Sequence, residues 1–167
     1  MKIFQIGFNR CGTLSLCDFF NDNGHKAVHY DHATLGIWEE VLVENHRQGL
    51  NICDGYDDIV LWTDIDFIQR QFQALACQYP ESKFIYNVRP IENWIDSRLK
   101  FYGGGDVNQW KAEWYYREKT IKEFFQGRNY RRLLKFDIEN DTGEDIVNFL
   151  PELEWKDTNF PHSHKTN

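Results

Sequence analysis

Apolar runs alternate along the chain with polar, helix-periodic stretches, and the alternation predicts strands and helices in turn. Lys2–Ile6 reads as a short buried strand, followed by a glycine-containing turn and a helix from about Thr13 to Asn23 that Gly24 ends. Lys26–Tyr30 has the pattern of a second strand and leads into the polar stretch Asp31–Thr34. Trp38, Val41, Leu42 and Asn45 recur near helical spacing and predict a helix over Leu35–Arg47. The β-rich run Asp58–Thr63 predicts a third strand, and Phe67–Tyr79 a helix that Pro80 breaks. Lys83–Val88 is strongly strand-like; Arg89 ends it, and Pro90 suits the first turn of a helix reaching about Phe101. Beyond Gly103–Gly105 the pattern predicts a long helix to about Gln126, a strand over Arg132–Phe136, a helix over Gly143–Leu150 and an irregular tail.

Such alternation predicts an α/β sandwich, a mainly parallel central sheet flanked by helices, as a single domain over residues 1–167. Ligands of such sheets bind beyond the carboxyl ends of the strands. Gly7–Gly12, Thr63–Asp64 and Arg89 occupy those ends.

Composition narrows the function. Hydrophobic residues at 41% and charged residues at 27% indicate a folded globular chain. A net charge of −7 disfavours nucleic acid and anionic membranes as partners, so an anionic substrate needs a local cationic site. The placement of single arginines then matters more than their number. Four cysteines without a C-x-x-C pair predict free thiols in a reducing compartment. Met1 runs almost directly into the first strand, leaving no visible signal peptide, and no apolar run has the length of a membrane span. The expectation is a cytoplasmic protein; nothing in the pattern sets its oligomeric state.

Gly7-Phe-Asn-Arg-Cys-Gly-Thr-Leu-Ser15 follows a strand and opens a helix. Glycines so spaced let backbone N–H groups turn inward around a phosphate, with the helix N-terminus adding positive potential. A nucleotide triphosphatase would continue with Lys-Ser or Lys-Thr after the second glycine, whereas Thr13-Leu14 stands here and the cation inside the loop is Arg10. A tight turn without a ligand fits the spacing equally well. A second anion site is suggested by Arg89 and, about two helical turns on, Ser97. Taken singly they read as a surface ion-pair residue and a solvent-facing helix residue.

Together the two segments resemble sulfotransferases. Gly7–Leu16 is similar to their 5′-phosphosulfate loop in its G-F-x-R-x-G-T-x-S-L form, and Lys83–Ser97 to their 3′-phosphate motif. Gly55-Tyr56-Asp57 with Trp62, Tyr79-Pro80, Leu133–Asp137, Phe149-Leu150 and Phe160-Pro161-His162 extend the likeness to one branch of the superfamily. The resemblance implies a P-loop-like three-layer sandwich and 3′-phosphoadenosine 5′-phosphosulfate as cosubstrate. Its implied binding residues are Asn9, Arg10, Cys11, Gly12, Thr13, Leu14, Ser15, Arg89 and Ser97. Cys11 and Leu14 depart from the usual Ser or Thr, and Arg10 stands where cytosolic small-molecule sulfotransferases have Lys.

The implied reaction is in-line sulfuryl transfer to a hydroxyl or amine, the acceptor being a small molecule, glycan or lipid, with no metal expected. Arg10 is the candidate for stabilising the leaving phosphate. The base is expected to be Asp64, with His29 and His32 as rivals; an N-cap role is the alternative for Asp64, shared with Asp66. His29-Tyr-Asp-His32 and His162-Ser-His164 are weak metal patterns without a third well-spaced ligand. Arg10 and the helix N-terminus are expected to activate the Cys11 thiol. Of Trp94, Phe101, Tyr102, Trp110, Trp114, Tyr115 and Tyr116, at least half read as core and the rest as pocket lining. Gly103–Gly105 reads as a mobile loop over the cleft or as a plain linker. Two other readings stay open: a non-catalytic module binding the cosubstrate or adenosine 3′,5′-bisphosphate, and a P-loop kinase of small molecules.

Overall fold

Successive residues of a strand point to opposite sheet faces, and the central strands use both faces for apolar packing. Ile3, Leu61 and Ile85 pack on one side, whereas Phe4, Trp62, Phe84 and Tyr86 pack on the other. A sheet buried on both faces must be covered twice, which makes three layers. The computed structural model describes residues 1–32 and 34–161, the side chains of His32 and Arg128 excepted.

The sheet contains β1 (Ile3–Gln5), β2 (Ala27–His29), β5 (Leu61–Thr63), β6 (Lys83–Val88) and β7 (Leu133–Asp137) in the order β2-β5-β1-β6-β7, all parallel. Helices α1 (Thr13–Asp22) and α7 (Gly143–Phe149) cover one face, joined by Trp155 and Phe160 of the tail. The other face carries α2 (Trp38–Arg47), α3 (Asp66–Arg70), α4 (Phe72–Gln78), α5 (Ile91–Tyr102) and α6 (Val107–Phe124).

The α/β sandwich with a parallel sheet is thus as the alternation predicts, with three local differences. The run Asp58–Thr63 is strand only over Leu61–Thr63. The expected helix over Phe67–Tyr79 is two helices that meet at Gln71. A two-stranded antiparallel ribbon, β3 (Asp31–His32) with β4 (Gly36–Ile37), precedes α2 in a stretch too polar to signal it.

Chain order and sheet order together locate the cleft. After β1 the chain crosses to β2 and returns through β5; it then passes over β1 to β6 and continues to β7. The direction of winding reverses between β1 and β6, so a crevice opens beyond their carboxyl ends. Gly7 lies there, and a side chain on it would collide with the Asn87 carbonyl oxygen of β6. Gly12 caps α1 with φ 73°, a left-handed conformation that costs glycine little.

Of the seven aromatic residues expected as core or pocket lining, only Trp94, Trp110 and Trp114 are buried, while Phe101, Tyr102, Tyr115 and Tyr116 are exposed. The expectation that at least half are core is corrected, because α6 buries one stripe and turns its tyrosines outward. Gly105 is more than a linker: its missing side chain makes room for the Trp110 ring.

Candidate functional site

The loop after β1 is held by its carbonyls. Gln5 Nε2 donates to the Gly7 carbonyl at 2.7 Å, and Trp94 Nε1 to that of Asn9 at 3.0 Å. Arg89 Nη1 donates to the Arg10 carbonyl at 3.2 Å, and Asn87 Nδ2 to that of Cys11 at 2.6 Å. Four carbonyls thus engage side chains of β1, β6 and α5 and that of Arg89, which follows β6. Where successive carbonyls turn toward the protein body, the amides between them face the other way, as in an anion-binding nest. The hollow leads into the N-terminus of α1, which no side chain caps.

Beneath the loop lies a buried polar network. Gln5, Asn87 and Gln69 are all within 5% of full burial. Gln5 Nε2 also donates to Asn87 Oδ1 at 2.6 Å, and Gln5 Oε1 accepts from the Asp64 amide at 2.9 Å. Arg117 Nη1 donates to Gln69 Oε1 at 2.7 Å. The sequence reading missed this network. Its signal was available, since Gln5 and Asn87 are polar residues near the ends of otherwise apolar strands.

The candidate residues fall into two groups. In the first, Arg10 Nε donates to Ser97 Oγ at 3.2 Å, and its guanidinium stacks 4.6 Å from the Phe101 ring. Arg89 directs Nε and Nη2 to Glu139 Oε1, at 2.9 and 2.6 Å. Ser97 thus accepts from the loop arginine, while the fork of Arg89 faces Glu139. Asn9 Nδ2 donates to the Tyr102 hydroxyl at 2.9 Å. Leu14 is half-buried, and Thr13 and Ser15 are buried at the start of α1.

The second group joins the expected bases instead of choosing between them. His29 Nε2 lies 3.5 Å from Asp64 Oδ2 and 3.1 Å from Thr13 Oγ1. Burial is the largest influence on both: it holds His29 below its usual 6.5, against the pull of Asp64, and raises the Asp64 carboxyl, against His29 and Arg10. Burial thus disfavours the charge on both groups, and the side-chain hydrogen bond of His29 is the one with Thr13. The N-cap of α3 is Ile65, so Asp64 does not serve that role. The side chain of His32 and the pattern His162-Ser-His164 lie outside the described residues. Among the described residues no group of three or more His, Cys, Asp or Glu is arranged to hold a metal, and no helix is long and apolar enough to cross a membrane.

Arg10 (φ 62°), Tyr30 (φ 28°) and Asp64 (φ 54°) are the non-glycine residues with positive φ among those described. Arg10 belongs to the loop, and Tyr30 and Asp64 both line one cavity of about 360 Å³ beside it. Left-handed backbone at such residues costs about 1–3 kcal/mol each and tends to gather at functional sites.

Cys11 is corrected. Its side chain is fully buried, and burial pushes the thiol far above its ordinary range, outweighing the arginines near it. The helix N-terminus does not activate it, because its sulfur points into the core; what it gives the loop is backbone.

No curated protein matches the chain. The family model described as "Sulfotransferase domain" matches residues 2–116, a span that takes in the loop, His29, Asp64, Arg89 and Ser97. With over two thirds of its length matched, the chain belongs to the sulfotransferase domain family.

Proposed function

We propose that the protein transfers a sulfuryl group from 3′-phosphoadenosine 5′-phosphosulfate to a hydroxyl or amine of a small acceptor. One observation carries this reading: side chains engage the carbonyls of Gly7, Asn9, Arg10 and Cys11, so the loop offers its amide side and Arg10 to an anion. Arg89 and Ser97, both adjoining Arg10, supply a second anion site for the 3′-phosphate. Gly7 lets the loop lie directly against Asn87 of β6, and Gly12 holds the left-handed turn into α1, so both glycines fix the loop's shape.

The cosubstrate supplies the sulfuryl group and a bisphosphate leaving group. Arg10 and the loop amides stabilise the negative charge that grows on the leaving 5′-phosphate oxygen. Asp64 lines the cavity beside the loop, whereas His29 stands behind it. Asp64 accepts the acceptor's proton as the acceptor atom bonds to sulfur. The bond from sulfur to the phosphate oxygen breaks, and its electron pair stays on that oxygen. His29 is a positioning residue that steadies the Asp64 carboxylate.

Calorimetric titration separates this from a nucleotide kinase. Adenosine 3′,5′-bisphosphate is expected to bind without metal, and Arg89→Ala to weaken it roughly 10- to 100-fold, the scale of hydrogen bonds to a charged group. Tight binding of Mg²⁺–ATP with no affinity for the bisphosphate would overturn the reading. Transfer of labelled sulfate to an acceptor panel, with Arg10→Ala as control, then distinguishes an enzyme from a binding module.

A further inference from the structure

The cavity of about 360 Å³ that Asp64 lines has the size of a small-molecule site. Two arginines share its wall, Arg98 from α5 and Arg117 from α6. Both guanidinium groups lie over aromatic rings. The Arg98 guanidinium is 4.8 Å from the Trp94 ring and 4.5 Å from that of Trp110, and the Arg117 guanidinium is 4.2 Å from Phe8. The rings are themselves in contact, with Phe8 and Trp94 centroids 4.8 Å apart. Stacking occupies the face of a guanidinium and leaves its in-plane N–H edge for a partner.

That edge has no anion on it. Among the described residues neither arginine forms an ion pair. Arg98 Nε is buried without a hydrogen-bond partner, and Arg117 bonds only the neutral amide of Gln69. Both residues are half-buried, and charges drawn that far from water are ordinarily paired. Of the acids of the same wall, Asp66 and Glu113 favour the Arg117 charge only from a distance, without a close ion pair, and their nearer partners lie elsewhere. Glu39 and Asp66 both hold Arg70, at 2.9 and 2.8 Å, and Glu113 accepts from Gln109 at 2.9 Å. Asp64 faces His29.

We infer that the acceptor is itself a small acid, whose carboxylate, sulfate or phosphate monoester is held by Arg98 and Arg117 while its hydroxyl or amine meets Asp64. This inference rests on the proposed sulfuryl transfer, and it adds the acceptor's charge. Two planar N–H edges suit an oxyanion with several acceptor lone pairs. The cations also offset the repulsion between an anionic acceptor and the anionic cosubstrate in a chain of net charge −7.

The test uses the protein loaded with adenosine 3′,5′-bisphosphate. A panel of small hydroxylated and aminated carboxylic acids, each matched with its neutral amide, is titrated calorimetrically, together with sulfate and phosphate monoesters matched with their parent alcohols. At least one acid is expected to bind ten-fold or more tightly than its neutral match. Arg98→Met and Arg117→Met should each bring that ratio toward one, Arg98→Met with bisphosphate affinity within about two-fold of the unaltered protein, and Arg117→Lys should restore part of it. If no acid binds better than its neutral match, the inference fails, and this comparison needs no variant to fold. A ratio unchanged in both folded Met variants also overturns it. Absence of bisphosphate binding in the unaltered protein would instead overturn the proposed function.

Discussion

Arg89 directs two N–H groups at one oxygen of Glu139, at 2.9 and 2.6 Å, while Asn93 donates to the other oxygen at 2.7 Å. Glu139 lies just beyond β7, the strand beside β6, so a carboxylate from the neighbouring strand end sits on the fork proposed for the 3′-phosphate. A ligand phosphate has to displace this anion, and the two charges repel each other while both are near.

Glu139→Gln is therefore expected to tighten bisphosphate binding. The pair is partly exposed, with side-chain accessibilities of 22% and 29%, which puts its worth near the upper end of the 0.2–1 kcal/mol typical of surface pairs. Roughly two- to five-fold tighter binding follows, measurable by calorimetry. Weaker binding would instead mean that Glu139 shapes Arg89 for the ligand rather than competing with it.

Asp64 and His29 give opposite pH signatures. Burial raises the folded-state pKa of Asp64 above 3.8, so the folded protein holds this proton more tightly than the unfolded chain does. Stability then declines as pH rises from about 3.8 through the raised value, and at neutral pH the charge is a cost. Asp64→Asn removes that cost and also suits the left-handed backbone (φ 54°), which Asn tolerates well. The variant should melt higher at pH 7, by ~2–4 °C for each kcal/mol relieved, yet lose roughly 10²- to 10⁴-fold in transfer rate. A lower melting temperature would count against burial as the dominant influence on Asp64.

His29 works in the other direction. Its folded-state pKa lies below 6.5, so the unfolded chain takes up the proton first as pH falls, and stability declines on the acid side of 6.5. Its protonation also helps keep the Asp64 carboxyl ionised. With Asp64 as base, transfer should fall as pH drops through a value above 3.8, and His29→Gln should move that limb toward neutral pH. An acid limb that stays in place after the substitution would remove His29 from the proton's path.

The strands and their ends were legible because both sheet faces are buried, which leaves unbroken apolar runs such as Phe84–Tyr86. The two arginines and Ser97 were legible as chemistry because they sit at fixed offsets from a strand end. Their partners were not. Glu139 is 50 residues from Arg89 and meets it only because β7 lies beside β6. Arg98 and Arg117 carry no local motif, and their role follows from which rings they stack on. Cys11 was misread because Arg10 and the helix N-terminus suggested an activated thiol, whereas the turn buries its sulfur in the core.

Asn87→Leu tests whether the polar network under the loop sets the site. Asn87 Nδ2 serves the Cys11 carbonyl and Oδ1 accepts from Gln5, so an apolar side chain of similar size strands two buried polar groups. Each is expected to cost about 1–3 kcal/mol in denaturant unfolding. The Gly7–Gly12 loop should loosen with it, and bisphosphate affinity should fall even though Asn87 has no proposed contact with the ligand. Lost stability with unchanged affinity would show that the loop holds its shape without Asn87.

The cysteines give a chemical check on the loop. Cys11, Cys17 and Cys53 are buried and Cys77 is exposed. Burial raises the thiols of Cys17 and Cys53 to about 11 and about 12 and carries Cys11 higher still, so little thiolate forms at neutral pH. Iodoacetamide on the folded protein at pH 7.5 should therefore label Cys77 alone, read as a single adduct by peptide mass spectrometry, with the buried three reacting only in denaturant. Because Cys77 lies in α4, away from the loop, that adduct should leave bisphosphate affinity unchanged. Rapid labelling of Cys11 in the folded state would mean that the loop opens on the timescale of the reaction, and a ligand that closes the nest should then protect it.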